Sequence, residues 1–198
     1  MRIGIFGGTF DPPHIGHQIL AAEAAAQLQL ERVLWVVTPN PPHKLGCKIS
    51  EDRLRLRLVR VATAGNPLFE VSTIEFERQG PHYAVDTLTV LAQRFPGSEL
   101  VYLMGGDSLR DLPTWHEPLE FLRFCGGVGV MRRPGDHIDL PELEQVLPGI
   151  TGLTHFVDAP LIEISASDIR LRVLAGKPYR YLVPPNVFRL IERLQLYR

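Results

Sequence analysis

Short apolar runs alternate with helix-forming stretches along nearly the whole chain, and this alternation narrows the possible architectures more than any other feature. Strand-like runs occur at RIGIF (2–6), RVLWVVT (32–38), LFEVSTIEF (68–76), ELVYLMG (99–105) and GGVGVMR (126–132). A sixth, THFVDAPLIEIS (154–165), is interrupted by Pro160, which removes a ladder donor. Between them lies HQILAAEAAAQLQL (17–30), rich in strong helix formers. YAVDTLTVLAQRF (83–95) carries apolar residues at helical spacing, and PPNVFRLIERLQLY (184–197) opens on prolines, which a first turn tolerates. Strands alternating with helices specify the α/β class: a mainly parallel sheet covered by helices on both faces.

RLRLRL (53–58) reads two ways. It alternates as a strand does, yet Ser50 followed by Glu51 and Asp52 has the chemistry of a helix N-terminus. Leu54, Leu58 and Val61 then share one stripe and Gly65 provides a stop, so the segment is expected to be a helix. In a parallel α/β sheet, ligands bind at the carboxyl ends of the strands. The turn after the first strand, the 38–44 loop, the 105–107 turn and the 165–170 turn are therefore expected on one rim.

Composition removes several classes. With 198 residues the chain can bury one substantial core. Its net charge of −1 argues against nucleic acid as a partner, while leaving room for a local basic pocket. The longest wholly apolar run, VLWVV (33–37), is far short of the roughly 20 residues of a membrane span, so no membrane association is expected. Two cysteines, Cys47 and Cys125, do not make a disulfide framework. With no apolar leader at the start, a cytoplasmic protein is expected.

The turn after the first strand, GGTFDPPHIGHQIL (7–20), concentrates unusual chemistry. Gly7 and Gly8 allow close approach of a ligand to the backbone. Pro12 and Pro13 stiffen the turn, and Gly16 and His17 open a helix whose first N–H groups suit a phosphate. Neither GxGxxG nor GxxxxGK[ST] is present, so ordinary dinucleotide redox chemistry and P-loop hydrolysis lose support. His14 and His17 admit three readings: a packing pair, a metal site needing His43 as a third ligand, or donors to phosphoryl oxygens. The last uses the glycines, the helix end and both rings together, and is preferred.

GGTFDPPHIGH resembles the first motif of the nucleotidylyltransferases that carry an (H/T)xGH signature, and most resembles the nicotinate-mononucleotide adenylyltransferases of bacterial NAD synthesis. The likeness runs the length of the chain. NPPHK (40–44) is similar to that family's second loop, HYAVDTL (82–88) and GGDSLRDLPTWHEP (105–118) to its pyridine-nucleotide segments, and ISASDIR (164–170) to its late ISSTxIR motif. Ala166 and Ser167 depart from that motif, and Ala84 stands where threonine or serine is common.

The resemblance implies a Rossmann-like nucleotidylyltransferase fold over residues 1–198, one domain with a C-terminal helical portion over about 166–198. It implies ATP and nicotinate mononucleotide as substrates, deamido-NAD and pyrophosphate as products, and magnesium held through the phosphates of ATP with no dedicated protein metal site. In-line attack without a covalent intermediate fits the lack of a serine or cysteine beside an obvious base. His14, His17, Lys44 and Arg170 are then the catalytic set, with His17 at the α-phosphate and Arg170 at the β- and γ-phosphates. Gly7, Gly8, Thr9, Phe10, Gly105, Ser165, Ser167 and Ile169 would line ATP. Asn40, Ala84, Thr87, Asp107, Trp115, His116 and Arg132 would form the mononucleotide side. There Trp115 stacks on the pyridine, and backbone N–H groups of Ala84 and His116 take the carboxylate. Asp107 binds a ribose hydroxyl, assists magnesium or caps the next helix. Rival readings are a phosphopantetheine adenylyltransferase, a nucleotide-binding regulator without turnover and a metal-dependent hydrolase.

Overall fold

The computed structural model describes residues 1–41, 49–132, 137–160 and 162–198. Among them, six strands form one sheet: β1 (Arg2–Gly8), β2 (Arg32–Val37), β3 (Phe69–Ser72), β4 (Glu99–Gly105), β5 (Gly127–Met131) and β6 (Thr154–Val157). Their order is β3-β2-β1-β4-β5-β6, and every neighbouring pair is parallel. This is the order of the doubly wound nucleotide-binding sheet, with its switch point between β1 and β4.

Alternation along the strands divides the core between two faces. Ile3, Ile5, Leu34, Val36, Leu100, Tyr102 and Met104 join one cluster. Helices α3 (Ala84–Arg94), α4 (Gly106–Asp111) and α5 (Pro118–Phe124) cover it through Leu88, Leu109 and Phe121, and α6 (Leu140–Val146) and α7 (Ile150–Leu153) through Leu143 and Ile150. Phe6, Val33, Trp35, Val37, Val101 and Leu103 face the other way. Helix α1 (Ile15–Gln27) covers that side with Ala21, Ala24 and Ala25, small enough for close approach, and α2 (Asp52–Thr63) with Leu56 and Val59. A third cluster joins Leu58 and Ala62 of α2 to Ile169 and Val173 of α8 (Ala166–Leu174) and Val187, Leu190 and Ile191 of α9 (Pro185–Leu194).

Several boundaries move for identifiable reasons. The strand expected over 68–76 ends at Ser72, paired to Val36 near the end of β2. The chain then makes a 3₁₀ turn (Ile74–Glu77) that buries Ile74 and Glu75. The sixth strand stops at Val157, and the next N–H, that of Asp158, bonds to Gln27 Oε1 at 2.9 Å instead of continuing a ladder. Helix α1 starts at Ile15 and ends at Gln27, ahead of Gln29 in the left-handed region (φ 52°). RLRLRL is helical, as expected, and Gly65 takes φ +93° just past its end. Its fully buried residues, however, are Arg55, Leu58 and Val59, with Ala62 nearly so; Leu54 and Val61 lie at the edge of the stripe. No helix among the described residues is long and apolar enough to cross a membrane.

Candidate active site at the sheet switch point

The carboxyl ends of β1 and β4 open into a cleft of about 990 Å³. Its walls include Gly7, Gly8, Thr9, His14 and His17 from the β1–α1 turn, Thr38 and Pro41 beyond β2, and Glu75. The far side brings His82, Tyr83 and Ala84 at the start of α3, Gly105 and Asp107 at the start of α4, and Trp115 with His116.

The histidines are held by the helix they begin. His14 is the N-terminal cap residue of α1 in extended conformation, and its N–H donates to His17 Nδ1 at 3.0 Å. Because Nδ1 accepts, the ring proton of His17 sits on Nε2, so that nitrogen is a donor. The two rings stack with centroids 3.6 Å apart. The ring of Phe10 is buried and packs edge-on against His17 (5.0 Å) and tilted against Trp35 (5.3 Å). Phe10 takes the left-handed conformation, with φ 50°. The glycines answer a different need. A Cβ on Gly7 would lie 2.6 Å from Tyr102 Oη, and one on Gly8 2.9 Å from the Phe10 ring.

The opposite bank is aromatic. Trp115 is half-buried, fixed edge-on by Tyr102 (5.9 Å) and Phe121 (5.5 Å). His116 stacks on Tyr83, the cap residue of α3, at 4.0 Å. Ala84 is the first residue of that helix, so its N–H belongs to a first turn whose donors have no intrahelical partner. Asp107 lies in the first turn of α4, capped by Gly105.

Other expected site residues lie elsewhere. Ser165 caps α8 by accepting from Asp168 N–H (3.0 Å). Ser167 Oγ accepts from Arg170 Nη2 (3.3 Å), while Arg170 Nη1 donates to the Asp11 carbonyl (2.6 Å) and so stands against the β1–α1 turn. Ile169 is wholly buried in the third cluster. The Thr87 hydroxyl is buried, donating to Glu75 Oε1 (2.6 Å) and accepting from Arg78 Nη2 (2.9 Å), so the structure does not bring it to the cleft wall. Asn40 is exposed, close to Gly80, and Arg132 lies over the Phe156 ring (4.7 Å). Lys44 and His43 lie outside the described residues. No group of three or more His, Cys, Asp or Glu side chains suited to a metal occurs among the described residues.

Sequence reasoning missed buried polar residues in and behind the walls. Glu75 and His82 are both nearly fully buried, and burial holds the Glu75 carboxyl above its usual range against the opposing effect of the Thr87 hydroxyl. Burial likewise raises the Tyr102 phenol. Arg55 is wholly buried and donates to four backbone carbonyls. The signal was there: 55, 58, 59 and 62 form one helical stripe.

Residues 5–172 match the family described as cytidylyltransferase-like. A "probable nicotinate-nucleotide adenylyltransferase" of Thermomicrobium roseum is 47% identical over 100% of this chain and 92% of its own length. One of Exiguobacterium sibiricum is 44% identical over 100% of this chain and 99% of its own. Among solved structures, a Plasmodium falciparum nicotinic acid mononucleotide adenylyltransferase complexed with NaAD is 17% identical and superposes with a TM-score of 0.82, covering 99% of this chain and 97% of that one. That last likeness speaks to the fold; the full-length identities speak to descent, and by them this chain belongs to the nicotinate-nucleotide adenylyltransferases, within the cytidylyltransferase-like family.

Proposed function

We propose that the chain transfers the adenylyl group of ATP to nicotinate mononucleotide, giving deamido-NAD and pyrophosphate in NAD biosynthesis. One observation carries this reading: a single cleft has a helix N-terminus with two histidines on one bank and an aromatic bank with a second helix N-terminus facing it. Its volume of about 990 Å³ is at the top of the usual range for ligand pockets, roughly 300–1,000 Å³, and suits two nucleotides. The fold acts as one domain in this reading, with 166–198 as a helical portion that brings Arg170 to the phosphate end.

An oxygen of the mononucleotide phosphate attacks the α-phosphorus in line. The new P–O bond forms as the bond to the β-phosphate oxygen breaks, and the electron pair leaves with pyrophosphate. The attacking oxygen is already anionic, so no general base is needed and positioning with charge stabilisation suffices. His17 Nε2–H and the first N–H groups of α1 serve the α-phosphate, where charge grows. Arg170 offers its fork of donors to the β- and γ-phosphates. Lys44 joins them as a phosphate clamp. Trp115 supplies a face for the pyridine, and the α3 N-terminus with Ala84 and His116 takes the carboxylate. Magnesium would be held through the ATP phosphates, with Asp107, a carboxylate of the cleft wall, as the residue that would assist it, and would supply charge neutralisation. Residues 14 and 17 alone do not make a zinc set.

The test is release of pyrophosphate from ATP and magnesium with nicotinate mononucleotide, its amide analogue or phosphopantetheine in turn. Turnover highest with nicotinate mononucleotide is expected. Turnover only with phosphopantetheine, or release of orthophosphate, overturns the reading.

A further inference from the structure

Behind the β1–α1 turn lies a buried polar cluster with no place in the chemistry so far. Arg55 donates from Nε to the Ser50 carbonyl (2.9 Å), from Nη1 to those of Thr9 (2.9 Å) and Thr38 (2.8 Å), and from Nη2 to that of Pro39 (2.8 Å). Three separate segments are thus fastened to one planar group. Asp11, 2% exposed, accepts from Ser50 N–H at Oδ2 (3.0 Å) and from Tyr197 O–H at Oδ1 (2.8 Å). The Asp11 carbonyl takes Arg170 Nη1. A buried guanidinium is costly to desolvate, and Asp11 and Asp52 offset part of that cost through their negative charge.

This arrangement disposes of charge in a particular way. Carbonyl oxygens at the ends of β1 and β2 would repel a polyanion if they faced it. Arg55 draws the carbonyls of Thr9, Thr38 and Pro39 to itself. Across a planar trans peptide the N–H lies opposite the carbonyl, so the N–H groups of Phe10 and Asn40 point away from the guanidinium. Tyr197 and Ser50 similarly occupy both oxygens of Asp11. Tyr197 reaches there because Gln195 and Tyr197 both take the left-handed conformation beyond α9 (φ 50° and 65°).

We propose that Arg55, Asp11 and Tyr197 are positioning residues for the triphosphate, fixing the β1–α1 turn against Arg170 so that both act on one phosphate chain. The inference rests on the adenylyl-transfer reading for its ligand. The unit touches no substrate; it sets which backbone groups and which arginine do.

Tyr197→Phe removes one hydroxyl and keeps the ring, and Arg55→Lys keeps the charge but loses the fork. Affinity for ATP with magnesium is read by calorimetry without a second substrate, and both KM values by pyrophosphate release. For Tyr197→Phe, ATP affinity and KM are expected to weaken about five- to tenfold, the worth of one hydrogen bond. The KM for nicotinate mononucleotide should stay within about twofold, since no donor on that bank changes. Arg55→Lys is expected to weaken ATP further. Folded Tyr197→Phe with unchanged ATP affinity, or with both KM values raised alike, overturns the proposal. If Arg55→Lys does not fold, Tyr197→Phe alone decides. Wild type that binds ATP but does not use nicotinate mononucleotide sinks the functional reading, and the ATP comparison still decides this one.

Discussion

His17 carries the sharpest expectation because its Nδ1 accepts from His14 N–H, which makes Nε2 the donor of the ring. His17→Ala is expected to lower kcat/KM by about 10²–10³, or about 3–4 kcal/mol, the loss seen on removing one oxyanion donor. Steady-state kinetics at fixed mononucleotide would show it, with the loss mainly in kcat. Trp115→Ala is expected to raise the mononucleotide KM by about 1–3 kcal/mol of stacking, with ATP affinity by calorimetry unchanged. Glu75 titrates against stability. Its carboxyl is held above the usual range by burial. Below the ordinary glutamate range both native and unfolded states are protonated, so the group adds no pH dependence. As pH rises past about 4.3 the unfolded chain ionises first, and stability falls until the raised native value is passed. The melting temperature of Glu75→Gln relative to wild type is therefore expected to rise as pH climbs from about 4.3 until that raised native value is passed. A constant difference across that span would mean Glu75 ionises normally.

At the scale of elements, the site depends on how closely two strands can lie. Gly7 on β1 accommodates the Tyr102 hydroxyl of β4, which a Cβ would meet at 2.6 Å. Gly7→Ala is expected to cost about 1–3 kcal/mol by overpacking, measured as a lower denaturant midpoint with unchanged slope. Adding Tyr102→Phe should recover part of it, because the next ring atom lies 3.4 Å from that Cβ. The helices show what short-range pattern conveys. Alanine-rich α1, the acidic start of α2 and the proline start of α9 were all readable, since propensity and capping act within a turn. The end of β3 was not: LFEVSTIEF reads as one strand, and its break after Ser72 depends on where a partner stops.

For the whole molecule, the alternating pattern pointed to the parallel sheet and to the rim that gathers the β1–α1 turn, Gly105 and Asp107, while Trp115 beside them was expected only from the family resemblance. It could not show that Thr87 turns inward to Glu75, or that Ile169 is core while its neighbour Arg170 reaches Asp11, because those outcomes depend on packing between distant segments. Arg55 illustrates the limit: its place on one stripe with Leu58, Val59 and Ala62 gives the direction it faces, but what satisfies a guanidinium there is four carbonyls from other segments of the chain. The C-terminal helices pack on α2 through an apolar cluster in which Ile191 is fully buried. Ile191→Ala is expected to cost about 2–5 kcal/mol in chemical denaturation, as a cavity there would. Strand order has a further result. β1 lies beside β4, and their edge is sealed by Arg2 bonding to Glu99, 97 positions along the chain. A growing polypeptide that has emerged only through α2 holds one bank of the cleft and lacks the other. Translation intermediates of that length are expected to retain no nucleotide in equilibrium dialysis, because the second bank of the cleft waits for α3 and β4.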